Sequence, residues 1–401
     1  MTSGSHSLSA APGVSRLIVF SAAPQLLLRV LSLLLCLLIA PQVSAEGRPN
    51  LLLITVDDMN TDSIGAFGSQ VPDVTPNIDQ LAKSGLRFEN AHVQVANCTP
   101  SRNVMWSGRY PHSNMVEGFY QVRKPGYKTL PDLLQDAGYF TAVRHKVRDT
   151  TPYHPYNWDL ILDDNDDGVR HHPRDPASYG QSTARGIRAA KKAEKPFAIM
   201  LNIGDPHVPF HGLDKAGESI DEPNPSSRVY TAKDVVVPGF LVEDAVIREE
   251  LSHYFSSVRR ADDAVGHILS ALDAAGAADS TLVMFLSDHG MPFPFAKTQL
   301  YHHSTSTPLL VRWPGTVEPG SVDASHMVSA VDILPTLLDA VGAAHPSGLE
   351  GRSFLALLEG EAQDARDIVF KEYNENSAGQ RAPMRAAQTQ QFLLRLASSS
   401  P

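Results

Sequence analysis

The chain has 401 residues, 42% of them hydrophobic and 19% charged, with 27 Gly and 29 Pro. Such a length holds an α/β domain with a large core and an appendage, and the composition excludes a disordered, collagenous or coiled-coil chain. Lys and Arg total 34 against 44 Asp and Glu, a net charge of −10. That balance argues against a nucleic-acid partner, whose affinity rests on cations that release counterions. Two cysteines, Cys36 and Cys98, are too few for a disulfide framework or a Cys-based zinc site.

Residues 1–45 contain Arg16 and Arg29 but no acid, then an apolar run from Val30 to Ala40 and a Val43-Ser44-Ala45 sequence before Glu46. A basic start, a short apolar run and a small-x-small site predict a secretory signal cleaved after Ala45. The run is too short for a membrane span, so no stable span is expected after cleavage. Cys36 leaves with that segment, and the exported chain keeps 32 cations against 44 acids, a charge of −12.

Leu51–Val56 is a continuous apolar run ending at Asp57-Asp58, as expected of a buried parallel strand with acids at its carboxyl end. Phe140–Val143, Phe197–Ile203, Leu282–Leu286 and Leu309–Arg312 read as further strands of this kind. Helical patterns fill the intervals at Asn77–Lys83, Leu130–Ala137, Gln181–Ala193, Glu243–Ala275 and Ile333–Val341. Gly85, Gly138, Gly276 and Gly342 stand just past four of them, where helices stop. The alternation predicts a mostly parallel sheet covered by helices on both faces, with ligands at the carboxyl ends of its strands. The Pro-rich stretches Thr150–Ser178 and Pro206–Pro238 read as long excursions over that edge.

Three strand ends carry polar clusters: Asp57-Asp58, Asp205-Pro206-His207 and Asp288-His289. An acid after a strand is most often a helix cap, but carboxylates converging from separate strands repel unless a hard cation such as Ca²⁺ or Mg²⁺ sits among them. Cys98 lies in Cys98-Thr99-Pro100-Ser101-Arg102, just before a helical stretch. A lone cysteine is usually a small buried hydrophobe. A helix N-terminus and a guanidinium would instead stabilise an anion there.

The C-x-P-S-R run resembles the core of the formylglycine sulfatases of the alkaline-phosphatase superfamily, where this cysteine is oxidised to formylglycine. The likeness runs from Arg48 to about Leu396, through Thr75-Pro76-Asn77-Ile78-Asp79, Ser287-Asp288-His289-Gly290 and Pro292-Phe293-Pro294. Lys297-Thr298-Gln299-Leu300-Tyr301 and Pro383-Met384-Arg385 point to the N-sulfoglucosamine sulfohydrolase branch. The resemblance implies one calcium held by Asp57, Asp58, Asp288, His289 and the modified Cys98. It gives Arg102, Lys146, His207 and Lys297 contacts with the modified residue or the sulfate, and makes a sulfated saccharide and a formylglycine-generating maturase the partners. Cations aimed at the sulfate would stabilise charge gathering on its oxygens, and His207 is a candidate proton donor to the leaving group. A phosphate or phosphonate hydrolase, or a sulfated-glycan binder without turnover, are the rival readings.

The chain departs from the family twice. The family's Gly-Lys followed by His reads here as His145-Lys146-Val147-Arg148-Asp149, so the histidine falls on Arg148 or Asp149. The catalytic domain is expected over 46–370 and a truncated antiparallel subdomain over 371–401, with Phe392–Leu396 as its first strand. Asp163–Gly168 matches half of a calcium loop, but its twelfth position is Arg174 rather than Glu, and a polar turn is expected. His171-His172 and His302-His303 lack any zinc spacing. Neither G-x-S-x-G nor G-x-G-x-x-G occurs, which leaves a serine hydrolase or a dinucleotide enzyme without support.

Overall fold

A computed structural model describes residues 47–397. The signal segment with Cys36, and residues 398–401, lie outside the described residues. The strands in chain order are β1 (Asn50–Val56), β2 (Leu86–Phe88), β3 (Ala91–His92), β4 (Phe140–Arg144), β5 (Leu160–Ile161), β6 (Phe197–Ile203) and β7 (Thr281–Ser287). They continue with β8 (Leu309–Arg312), β9 (Ser321–Asp323), β10 (Val328–Ser329), β11 (Val369–Glu375), β12 (Arg381–Gln388) and β13 (Leu393–Ala397). The longer helices are α1 (Pro76–Lys83), α2 (Cys98–Ser107), α3 (Leu130–Asp136), α4 (Pro176–Lys192), α5 (Ala245–Ala274) and α6 (Ile333–Ala340).

Eight strands form one sheet in the order β5-β4-β6-β1-β7-β8-β2-β9. The apolar strands work because successive side chains point to opposite faces. Leu52, Ile54 and Val56 of β1 join Ile199, Leu201, Val283 and Phe285 in a core with α1, α4 and α5. Leu51 and Leu53 join Met200, Met284 and Leu286 in a second core with α2, α3 and α6. Continuous apolar runs are therefore what a sheet covered on both sides demands.

One strand differs from expectation. β8 pairs antiparallel with both β7 and β2, whereas its apolar run suggested another parallel strand. Burial on both faces makes the two directions indistinguishable from composition. The glycine stops also divide. Gly138, Gly276 and Gly342 have φ of 86°, 64° and 66°, the left-handed conformation of a helix C-terminus. Gly85 is there for space, since a Cβ would meet the Val311 carbonyl oxygen at 2.4 Å.

The C-terminal sheet is also more complete than expected: β11, β12 and β13 form an antiparallel three-stranded sheet. The segment read as its first strand is its third. β11 escaped notice because Lys371, Glu372 and Asn374 are buried polar residues, so its hydrophobic pattern is broken. Between β6 and α5, residues 204–244 contain no helix or strand. That excursion is pinned along α5: Ser257 Oγ accepts the His211 N–H, and Ser256 Oγ the Tyr230 N–H.

Candidate active site

Strand register brings the site together. Val56 of β1 is level with Ile203 of β6 and Ser287 of β7, and Arg144 of β4 is level with Leu201. The residues just beyond these ends, Lys146, His207, Asp57, Asp58, Asp288 and His289, meet at one edge. Cys98 reaches the same edge as the first residue of α2, a helix whose ten residues are all buried. Pro100 is tolerated in this first turn because its missing N–H would have no intrahelical acceptor. Gly108 closes the helix in the left-handed conformation.

Cys98 is 3% exposed. Its Sγ stands 3.5 Å from Asp57 Oδ1 and 3.4 Å from His289 Nε2. His289 Nε2 is 3.2 Å from Asp58 Oδ1, and Asp288 Oδ1 accepts the Asp58 N–H at 3.0 Å. One ligand atom from each of Asp57, Cys98, Asp288 and His289 falls within 4.8 Å of the others. Asp58, Cys98 and His207 form a second such group.

Cations face these acids. Lys146 Nζ is 2.5 Å from Asp57 Oδ2, and Lys297 Nζ donates to both Asp58 oxygens at 2.9 and 2.7 Å. Arg102 donates to Asp288 Oδ2 from Nε at 3.1 Å, while its Nη1 serves Thr55 Oγ1 and Asn202 Oδ1 at 2.7 Å each. Burial opposes ionisation of Asp57, but Lys146, Arg102 and His207 hold its carboxyl well below the usual range. Burial pushes Asp288 upward, against the pull of His289. His207 is disfavoured as a cation by burial, yet its contact with Cys98 and the carboxylates of Asp58 and Asp57 lift it to about 9. The same opposition, with Asp288 the chief attraction, lifts His289 to about 9. Lys146 and Lys297, also against burial, are held firmly protonated by Asp57 and Asp58 respectively.

All nine sequence-derived positions thus converge, with His207 the loosest at 3.8 Å from Asp58 Oδ2. Asp205 does not join them. Its carboxylate takes a bidentate pair from Arg260 of α5, at 2.8 and 3.0 Å. Arg174 Nη2 donates to the His207 carbonyl at 2.9 Å and its Nη1 to that of Pro209, which fixes the backbone beneath the His207 ring. Sequence reasoning passed over Thr55 and Asn202, although one polar residue near the end of an apolar strand was a readable signal. Arg174 and Arg260 had no such signal, because their partners are distant in sequence.

Backbone strain gathers here. Asp58, His145, Lys146, Phe295 and Thr298 are non-glycine residues with φ from 49° to 70°, an uncommon and costly conformation for residues with a side chain. His145 holds φ 57°, a backbone conformation that favours glycine. Its Nδ1 lies 3.3 Å from the Asn202 carbonyl, and burial followed by Lys146 lowers its pKa to about 4. Asp149 accepts from Thr99 Oγ1 at 2.6 Å and lies 3.7 Å from Lys146 Nζ.

The pattern of the Sulfatase family matches residues 49–343. The chain belongs to the sulfatase family. This sulfatase is 30% identical over 385 residues to N-sulphoglucosamine sulphohydrolase of Homo sapiens, covering 90% of this chain and 75% of that protein. It is 26% identical over 327 residues to an ulvan-active sulfatase of Formosa agariphila, covering 80% of this chain and 60% of that one. Its fold is shared with a solved structure described as a complex with its substrate D-glucosamine-2-N,6-O-disulfate, at a TM-score of 0.69 and 22% identity over 87% of this chain and 88% of the other. The protein is accordingly a hydrolase of sulfuric esters or sulfamides.

Of the motifs set aside, the half calcium loop braces the backbone next to Lys146, its Asp163 Oδ1 accepting the His145 N–H at 2.7 Å. Asp163 and Asp166 of the half calcium loop pair with Arg170, Arg185 and Arg188. His302 and His303 enter no metal-like cluster among the described residues; His303 stacks on Phe240. No helix among the described residues is long and apolar enough to cross a membrane.

Proposed function

We propose that this protein is an exported sulfatase that removes an N-sulfo or O-sulfo group from a sulfated glycan, with Cys98 matured to formylglycine beside one bound calcium ion. The observation that carries the reading is Cys98 itself, seated at the start of a buried helix between three carboxylates and three cations. Asp57, Asp58 and Asp288 offer the hard oxygens that calcium prefers, while the nitrogen of His289 is a softer donor than a typical calcium site uses. When bound, the ion would offset these acids and polarise a sulfate oxygen.

The chain's own residues supply the rest. Lys146, Lys297 and Arg102 crowd positive charge around Cys98, where the sulfate oxygens gather electrons as the bond to the leaving group breaks. His207, with Nε2 3.8 Å from Asp58 Oδ2, is placed to pass its Nε2 proton to the departing oxygen or nitrogen. Asp149 stands next to Lys146, near the position of the absent histidine, and is the residue we assign to proton handling there.

Mass spectrometry of the tryptic peptide Phe88–Arg102, after co-expression with a maturase, tests the central step. Conversion of Cys98 to formylglycine is expected; an unmodified thiol alone overturns the mechanism. Sulfate release from a panel of N- and O-sulfated glucosamines, with Cys98→Ala as control, then fixes the substrate. The missing family histidine, whose place falls on Arg148 or Asp149, motivates a second reading, a glycan binder without turnover. Binding of heparan fragments with no sulfate released by matured protein would select it.

A further inference from the structure

Arginine is the residue best shaped to grip sulfate or carboxylate, so arginines left without a partner are informative. Among the described residues every arginine has a hydrogen-bond or ion-pair partner except Arg123, Arg148 and Arg312. Arg312 lies on β8 at the far edge of the sheet, level with Val283 of β7. The other two lie on two segments that are hydrogen-bonded to each other next to the site.

Arg148 belongs to a single helical turn, Val147–Thr150, directly after Lys146. The next side chain, Asp149, accepts a hydrogen bond from Thr99, so the turn rests on the N-terminus of α2 next to Cys98. The loop bearing Arg123 and Lys124 is tied to the end of the same turn. Val122 N–H donates to the Pro152 carbonyl at 2.6 Å, and Gln121 Nε2 to the Thr151 carbonyl at 3.3 Å. Arg123, Lys124 and Arg148 are all exposed, and no acid pairs with them. The nearby Glu117 is taken by Arg381, and Asp149 by Thr99 and Lys146.

On a chain of net charge −10, three exposed, unpaired cations on two joined segments beside the catalytic edge stand out from the general field. They can draw a polyanion toward the site and hold it there. Resting on the sulfatase reading above, we propose that Arg123, Lys124 and Arg148 form a second anion subsite. It takes a further sulfate or carboxylate carried by the same glycan, so the preferred substrate is a multiply charged oligosaccharide rather than a singly sulfated sugar.

The experiment compares matured full-length protein with its Arg123→Gln/Arg148→Gln variant, whose changed side chains are exposed and unpaired. Sulfate release is measured from a heparan-derived tetrasaccharide and from N-sulfoglucosamine. The ratio of kcat/KM values, tetrasaccharide over monosaccharide, is expected to fall at least tenfold, through KM and less so in 0.5 M NaCl. An unchanged ratio overturns the subsite. If unsubstituted protein releases no sulfate from either, calorimetry on Cys98→Ala protein decides. At least tenfold weaker tetrasaccharide binding after the two arginine changes upholds the subsite while the hydrolase reading falls. Equal or absent binding overturns the subsite.

Discussion

Lys371 is a buried lysine on β11, 1% exposed, with no carboxylate beside it. Its ammonium donates only to the Thr305 hydroxyl and the Gln388 amide oxygen, and the rings of His92 and His302 lie near enough to feel its charge. Burial lowers its pKa from 10.5 to about 7, a difference of about 5 kcal/mol between charged and neutral forms. Because the folded value lies below the unfolded one, the cost is fully present below about pH 7 and is relieved as pH rises toward 10.5. Lys371→Met removes that cost but loses two hydrogen bonds, a penalty of about 1–3 kcal/mol. The variant should therefore gain about 2–4 kcal/mol at pH 6 and lose stability near pH 10. With an unfolding entropy of roughly 0.7 kcal/mol per kelvin for a chain of this size, 3 kcal/mol moves Tm by about 4 °C. Thermal melts of both proteins between pH 6 and 10 read this directly. A Tm difference of one sign and size at every pH would refute the reasoning.

Arg260→Met strips Asp205 of its bidentate partner in a buried site, which should cost about 3–5 kcal/mol in urea unfolding. A loss below 1 kcal/mol would mean that water or Arg174 replaces the pair. Arg174→Ala should slow sugar sulfates, whose poor leaving groups require His207, by at least tenfold more than 4-nitrophenyl sulfate. Equal slowing of both would make Arg174 merely structural. EGTA should abolish sulfate release and lower Tm, with both restored by calcium; no effect on either would remove the metal from the account.

The central strands were legible because burial on both faces leaves little but Leu, Ile, Val, Met and Phe in them, and because Asp57 and Asp288 follow at once. Strand direction was not legible in β8, where hydrophobic content is the same either way. β11 and β12 were hidden for the opposite reason. Lys371, Glu372 and Gln388 are buried against partners from elsewhere in the chain, so tertiary contacts rather than local pattern make those strands. In the site, Asp57, Asp58, Asp288 and Cys98 could be argued from chemistry. Lys297 had only the family resemblance behind it, and its salt bridge to Asp58 joins segments 239 residues apart. The support beneath His207, from Arg174 and Arg260, lay outside any reading of neighbouring residues.

The closure around Cys98 also sets an order of events. A side chain 3% exposed, at the head of a helix buried along its whole length, offers a modifying enzyme nothing to grasp. If the thiol is to become an aldehyde, that chemistry belongs to the time before α2 docks, while the segment from Cys98 to Arg102 is still an open peptide. Folding would then act as a deadline: a molecule that closes first is trapped as a stable, correctly shaped protein that never acquires its nucleophile. Yield of active enzyme would follow the race between maturation and collapse, and a slower-folding variant could be the more active preparation.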